Sequence, residues 1–332
     1  MTTDRGRAGS SRTLTVADAA WRVLVIAVVF AVVDLLLGTL SGSRPALRPA
    51  YLQTVAIALV TGTAIALVLL PLARRLPYRM RTRFLALFLP LYWIALLSNL
   101  LEASVDTTIS RGEVIGAAVI FAIPYALTTW LIARLLPARK PEGPVPGIWE
   151  SLGDRPLLSW TWRTLAAGIL FAVGVEVFGI LWGPLISKYY HGQTQIAPGV
   201  HTLTPPTYIA GPEEVARGVV FVLVLLPVLA VMRGRDWGAL LRVGAYIALI
   251  DAVLESWLAM LSMISYPLGF RIGEGLDLTT DAVARGVFVA LLLALPAAAR
   301  TRRPAAESRS ELASGLGGSG PHCDPDRPDL LA

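Results

Sequence analysis

The chain has 332 residues, 55% of them apolar and 16% charged, with a net charge of +6 and a mean hydropathy of +0.63. A soluble domain carries about 25% charged residues, so the apolar excess has to face lipid. The positive balance does not mark a nucleic-acid binder, because the basic residues gather at alternate ends of apolar runs rather than on one face; membrane lipids, not nucleic acid, are the expected partners.

Crossing about 30 Å of hydrocarbon takes about 20 helical residues. Residues 1–18 lack apolar periodicity and read as a disordered tail. The first apolar run, 21–40, holds Asp34 on a stripe with Ala27, Ala31 and Gly38. Its length exceeds the about 7 to 15 residues of a signal-peptide core, which favours a retained helix although Ser41, Gly42 and Ser43 follow it. The second run is 51–73; the third, 84–105, places Ser98, Glu102 and Asp106 on one face; the fourth, 114–136, follows Arg111. A connector at 141–161 carries four prolines, with Trp149, Trp160 and Trp162 around it at headgroup depth.

Beyond it, the fifth run, 164–186, sets Glu176 on a stripe with Gly168, Ala172, Gly179 and Gly183. Small residues on such a stripe let helices approach, so both acids are expected on protein-facing surfaces. The outer connector from Ser187 to Pro212, with Tyr189, Tyr190, His191, His201 and Tyr208, is long enough to form a lid. The sixth run, 215–232, opens with Arg217 about one turn in, behind Glu213 and Glu214, which a helix N-terminus favours. In the seventh, 243–265, Asp251 and Glu255 share a face continued by Ser262, and the eighth, 282–299, begins with Arg285. Residues 301–332 form a second disordered tail, where His322 beside Cys323 falls short of a closed metal site. A single cysteine excludes an intrachain disulfide.

The expected fold class is therefore an all-α integral membrane protein with eight transmembrane helices. Arginines cluster before the first run, between the second and third, around 134–163, between the sixth and seventh, and after the eighth. The positive-inside rule then puts both termini in the cytoplasm. All but two of the 29 basic residues are Arg, as in a GC-rich bacterial genome, and the membrane expected is a bacterial plasma membrane.

The two halves echo each other. Trp21 and Arg22 precede Phe30, Ala31 and Val32 at the spacing that separates Trp162 and Arg163 from Phe171, Ala172 and Val173. Val68–Pro71 and Val224–Pro227 both read VLLP, Leu101 and Glu102 match Leu254 and Glu255, and Arg111 with Gly112 matches Arg285 with Gly286. This predicts a tandem repeat of a four-helix unit, 19–140 and 162–300, in parallel orientation about an axis along the membrane normal. A finer echo, VARGV at 215–219 and 283–287, suggests a helix-pair unit in which each odd helix brings an acid and each even helix a polar start: Asp34 with Gln53, Glu102 with Arg111, Glu176 with Arg217, and Glu255 with Arg285.

An acid at mid-bilayer costs about 2.5 to 3.5 kcal/mol even on lenient scales, so these acids cannot face lipid. Asp34, Glu102, Glu176, Arg217, Asp251, Glu255 and Arg285 are the candidate lining of an outward-facing polar cavity. Two carboxylates in contact rarely both ionise, which calls for a proton or a cation between them. Glu213 to Arg217 reads EExxR, one residue shorter than the EExxxR motif of CAAX-type intramembrane proteases. The histidines that family uses are missing from the runs, and no catalytic role is transferred. No nucleotide loop, nucleophile elbow or zinc-helix signature occurs, and no cofactor or metal is expected. Three functions fit: a carrier or channel-like protein for a small solute or proton; an intramembrane enzyme using carboxylate acid-base chemistry on a lipid or isoprenoid; and a structural or regulatory membrane component. The first is preferred, and oligomeric state is not legible.

Overall fold

The structure, a computed structural model, describes residues 15–40, 49–139, 147–153, 155–190, 203, 206–232, 237–262 and 267–294. Most of both expected tails, the lid histidines His191 and His201, and the His322–Cys323 pair lie outside these residues.

The described residues are helical: α1 (Val16–Leu40), α2 (Pro49–Arg75), α3 (Met80–Tyr92), a π-helical turn π1 (Trp93–Leu97), α4 (Ser98–Asp106), α5 (Arg111–Leu135), α6 (Ile148–Gly153), α7 (Leu157–Tyr190), α8 (Thr207–Val231), α9 (Trp237–Asp251), a second π turn π2 (Ala252–Trp257), α10 (Leu258–Ser262) and α11 (Leu268–Leu293). Seven helical rods are long and apolar enough to cross a membrane: α1, α2, α3–π1–α4, α5, α7, α8 and α9–π2–α10. Leucines and isoleucines such as Leu24, Leu36, Ile115, Ile180, Leu223 and Leu249 are exposed on their flanks, while charged groups are buried among them. This inverts the distribution of a soluble protein, and the chain is a multi-pass membrane protein.

The last rod differs from expectation. The apolar run at 282–299 predicts a helix starting near Ala282, yet α11 starts at Leu268 and ends at Leu293. A hydropathy reading stops at Asp277 and Asp281, whereas the helix continues through them, because Asp281 is buried against Arg285 one turn later. Those charges also keep α11 out of the apolar set. Within the Pro-rich connector the short α6 forms, its Leu152 carbonyl accepting from the Trp160 indole at 2.9 Å.

Packing follows the chain order in each half. α1 lies along α2 and α5, and α3 along α5; in the second half α7 lies along α8 and α11, and α9 along α11. The halves meet where α3 packs on α8, α2 on α9 and α10, and π1 on π2. Close approach is built in by small residues. A Cβ on Gly62 would fall 2.8 Å from the Ala27 Cα and 3.0 Å from the Phe30 Cβ; on Gly218 it would fall 2.8 Å from the Gly168 Cα and 2.6 Å from the Phe171 Cβ.

At one end of the bundle guanidinium groups collect helix-terminal carbonyls. Arg22 donates to the Leu135 carbonyl at 2.9 Å and Arg163 to the Leu292 carbonyl at 2.6 Å. Buried Arg83 donates to the Ala73 and Ala133 carbonyls, each at 2.7 Å, and to that of Leu136. A cation at a helix C-terminus meets both unsatisfied acceptors and the negative end of the dipole.

The π turns have different origins. π1 begins three residues after Pro90, whose missing N–H breaks the regular ladder. π2 contains no proline; within it the Ser256 hydroxyl donates to the Gly275 carbonyl of α11 at 3.0 Å. Single π turns inside α-helices recur at functional sites.

Candidate functional site

Five elements bring charge to one point. α8 supplies Glu213, Glu214 and Arg217, with the acids three and four residues before the cation and therefore on its face. α11 supplies Asp281 and Arg285 at the same helical spacing. Asp251 ends α9, Glu255 lies in π2, and Ser98 and Glu102 come from α4 of the first half.

The two guanidiniums organise these groups. Arg217 reaches Glu214 at 2.6 Å, Glu102 at 2.8 Å, the Ser98 hydroxyl at 3.1 Å, Glu255 at 3.5 Å and Glu213 at 3.7 Å. Arg285 donates to Asp251 at 3.1 Å and also pairs with Glu255 and Asp281. Glu255 thus faces both cations and joins the two half-networks. The Phe171 ring of α7 lies 4.0 Å from the Arg285 guanidinium and 5.8 Å from that of Arg217, a cation–π seat for both.

Exposure falls off steeply through the group. The Glu102 side chain is 38% exposed and that of Glu213 16%, whereas Asp251 is fully buried and Glu255 and Asp281 nearly so. The space against Arg285, bordered by Phe171, Gly218, Phe221 and Phe288, amounts to about 10 Å³, at the threshold for one water molecule. Asp251, Glu255 and Asp281 are thus buried, while Glu102 stays partly exposed.

Of the residues expected to line one site, Glu102, Arg217, Asp251, Glu255 and Arg285 come together. Asp34 and Glu176 do not join them. Asp34 is half-buried on α1 near Tyr125 of α5. Glu176 is exposed on the flank of α7, against the expectation of a packed stripe. The reason lies in the crossing of α7 and α8. Gly168 sits within the contact, but nothing stands within 4 Å of a Cβ placed on Gly179 or Gly183.

The arginines also sit deeper than expected. Glu213 and Glu214 are inside α8 and bond Arg217 rather than serving a helix N-terminus, since α8 starts at Thr207. Arg111, matched to Arg285 in the sequence, is the exposed first residue of α5, while Arg285 is deep in α11. Asp281 escaped the sequence reading altogether; the available signal was its four-residue spacing before Arg285.

The group has more buried acid than buried cation. Glu214, Asp251, Glu255 and Asp281 are buried against Arg217 and Arg285. One carboxylate oxygen each of Glu214, Asp251 and Asp281 has no hydrogen-bond partner. Among the described residues no three acids, histidines or cysteines converge on a point that would hold a metal ion. Compared with known proteins, the chain matches no family profile, no curated protein and no solved structure.

Proposed function

We propose that the chain is a carrier for a small solute, built from two parallel four-helix units, with the acid and arginine group as its polar centre. The reading takes α11 as an eighth span, puts both termini in the cytoplasm of a bacterium, and sets the Arg22, Arg83 and Arg163 end on the cytoplasmic side of the plasma membrane.

Several observations support the duplication. Arg22 and Arg163, matched in sequence, each bind a carbonyl at the end of the last long helix of their own half, Leu135 and Leu292. Ala27 with Gly62 and Gly168 with Gly218 form matching crossings, each beside a phenylalanine, Phe30 or Phe171. Both third rods carry a π turn, and these turns meet between the halves. α3 on α8 is mirrored by α9 and α10 on α2, as a twofold axis along the membrane normal requires.

The observation that carries the carrier reading is the surplus of buried acids in a bundle interior, where ionisable groups mark solute and proton paths. The fall in exposure from Glu102 to Asp251 fits a path closed in this conformation. A structural role is the second reading, favoured by the tight closure around Arg285.

Proteoliposomes on a solid-supported membrane, challenged in a pH gradient with amino acids, sugars, organic cations and inorganic cations, decide between the two. The carrier reading expects currents with one class, lost in Asp251→Asn at near wild-type melting temperature. No current with any class, together with collapse of melting in both Asp251→Asn and Glu255→Gln, would overturn it in favour of the structural role.

A further inference from the structure

We infer that Asp251 is a proton-binding site and holds its proton at neutral pH. Two independent features lead there. First, four buried acids face two buried arginines, so full ionisation would leave two uncompensated negative charges in a low-dielectric interior. Second, Asp251 is the most buried of the four and one of its carboxylate oxygens has no partner, while the other shares the Arg285 Nη1 donor with Glu255.

The neighbours select Asp251 over the other acids. Glu255 is held between both guanidiniums, Arg285 and Arg217, which favours its ionised form. Glu214 has Arg217 at 2.6 Å. Asp281 pairs with the other terminal nitrogen of Arg285, and its partnerless oxygen lies 2.9 Å from a Cβ placed on Gly174 of α7. Asp251 has one cation, shared with two other acids, and takes the same Arg285 nitrogen as Glu255. Two carboxyls that share one guanidinium donor rarely both ionise. Placed on Asp251, a proton removes the charge that is worst compensated. The charged groups around it are Arg285 and Asp281 from α11, Glu255 from π2, and, behind Glu255, Arg217 and Glu214 from α8 with Glu102 from α4.

The proton's presence stands on these contacts alone; only its use in coupling rests on the carrier reading. The test is infrared spectroscopy of the purified full chain in lipid nanodiscs, reading the carbonyl stretch of neutral carboxylic acids, which is separate from the carboxylate bands. A band at neutral pH is expected that shifts in D2O and with a heavy-isotope carboxyl label on aspartate. It should vanish in Asp251→Asn and persist in Asp281→Asn. Should Asp251→Asn fail to fold, Asp251→Glu keeps the acid, and the same band must lose its sensitivity to the aspartate label. Absence of the band, its survival in Asp251→Asn, its loss in Asp281→Asn instead, or its replacement by carboxylate on adding sodium would overturn the assignment. The band present, with no solute current and collapsed melting of both carboxylate variants, removes the carrier and keeps the proton site. The band absent with pH-driven current puts the proton elsewhere and overturns the inference.

Discussion

Arg285 is where the chain commits most charge to one side chain, since Asp251, Glu255 and Asp281 all depend on it. Replacing it by Met removes the cation and strands buried acids, and breaking a buried pair in this way costs about 3 to 5 kcal/mol. Arg285→Met should therefore melt far below wild type, and Arg285→Met with Asp281→Asn should recover part of the loss; equal melting of the two variants would show that Asp281 does not rely on Arg285. Gly174 gives an independent test from another helix. A methyl there would stand 2.9 Å from the Asp281 carboxylate oxygen, so Gly174→Ala should destabilise by about 1 to 3 kcal/mol through overpacking, measured as a shift in melting temperature. The sequence made Asp251 and Glu255 conspicuous because a carboxylate inside an apolar run is costly wherever it points. It did not make Asp281 conspicuous, because its run only becomes apolar after it. Glu176 misled for the opposite reason: it has the same stripe of small neighbours as Asp34, and only the crossing of α7 and α8 shows that the contact ends before it.

Among the elements, the helix crossings at Gly62 and Gly218 are the most sensitive joints. A side chain at either meets backbone and a phenylalanine Cβ of the neighbouring helix, atoms with little freedom to move. Gly62→Val and Gly218→Val should each destabilise by at least about 1 to 3 kcal/mol. If the two crossings are copies of one another, the two losses should be similar in thermal melts, and a large loss at one with none at the other would count against the duplication. Helix identity was largely legible from apolar length, and seven of the eight expected runs fall on rods of the expected kind. The eighth began too late because hydropathy treats Asp277 and Asp281 as a loop, whereas burial beside Arg285 compensates the charge of Asp281. The π turns were not legible at all. Pro90 marks a weakened ladder without saying how the helix recloses, and π2 has no sequence marker among its own residues.

For the whole molecule, the orientation proposed from the arginine clusters is open to direct test. In a Cys323→Ser background, Gln195→Cys should react with a membrane-impermeant thiol reagent from outside intact cells, and Lys140→Cys only after permeabilisation; the reverse at both positions would turn the bundle over. Sequence alone determined that this chain belongs in a membrane and where seven helices long and apolar enough to cross it lie, because those properties depend on composition and length. It also exposed the matched pair Arg22 and Arg163, through identical local spacing around Trp21 and Trp162. The tertiary structure alone decided which acids share a cation. That choice depends on how far each helix runs past its apolar stretch and on which face it turns to its neighbours; both are fixed by packing at glycines and by the pairing of buried charge, neither of which hydropathy along a single helix records.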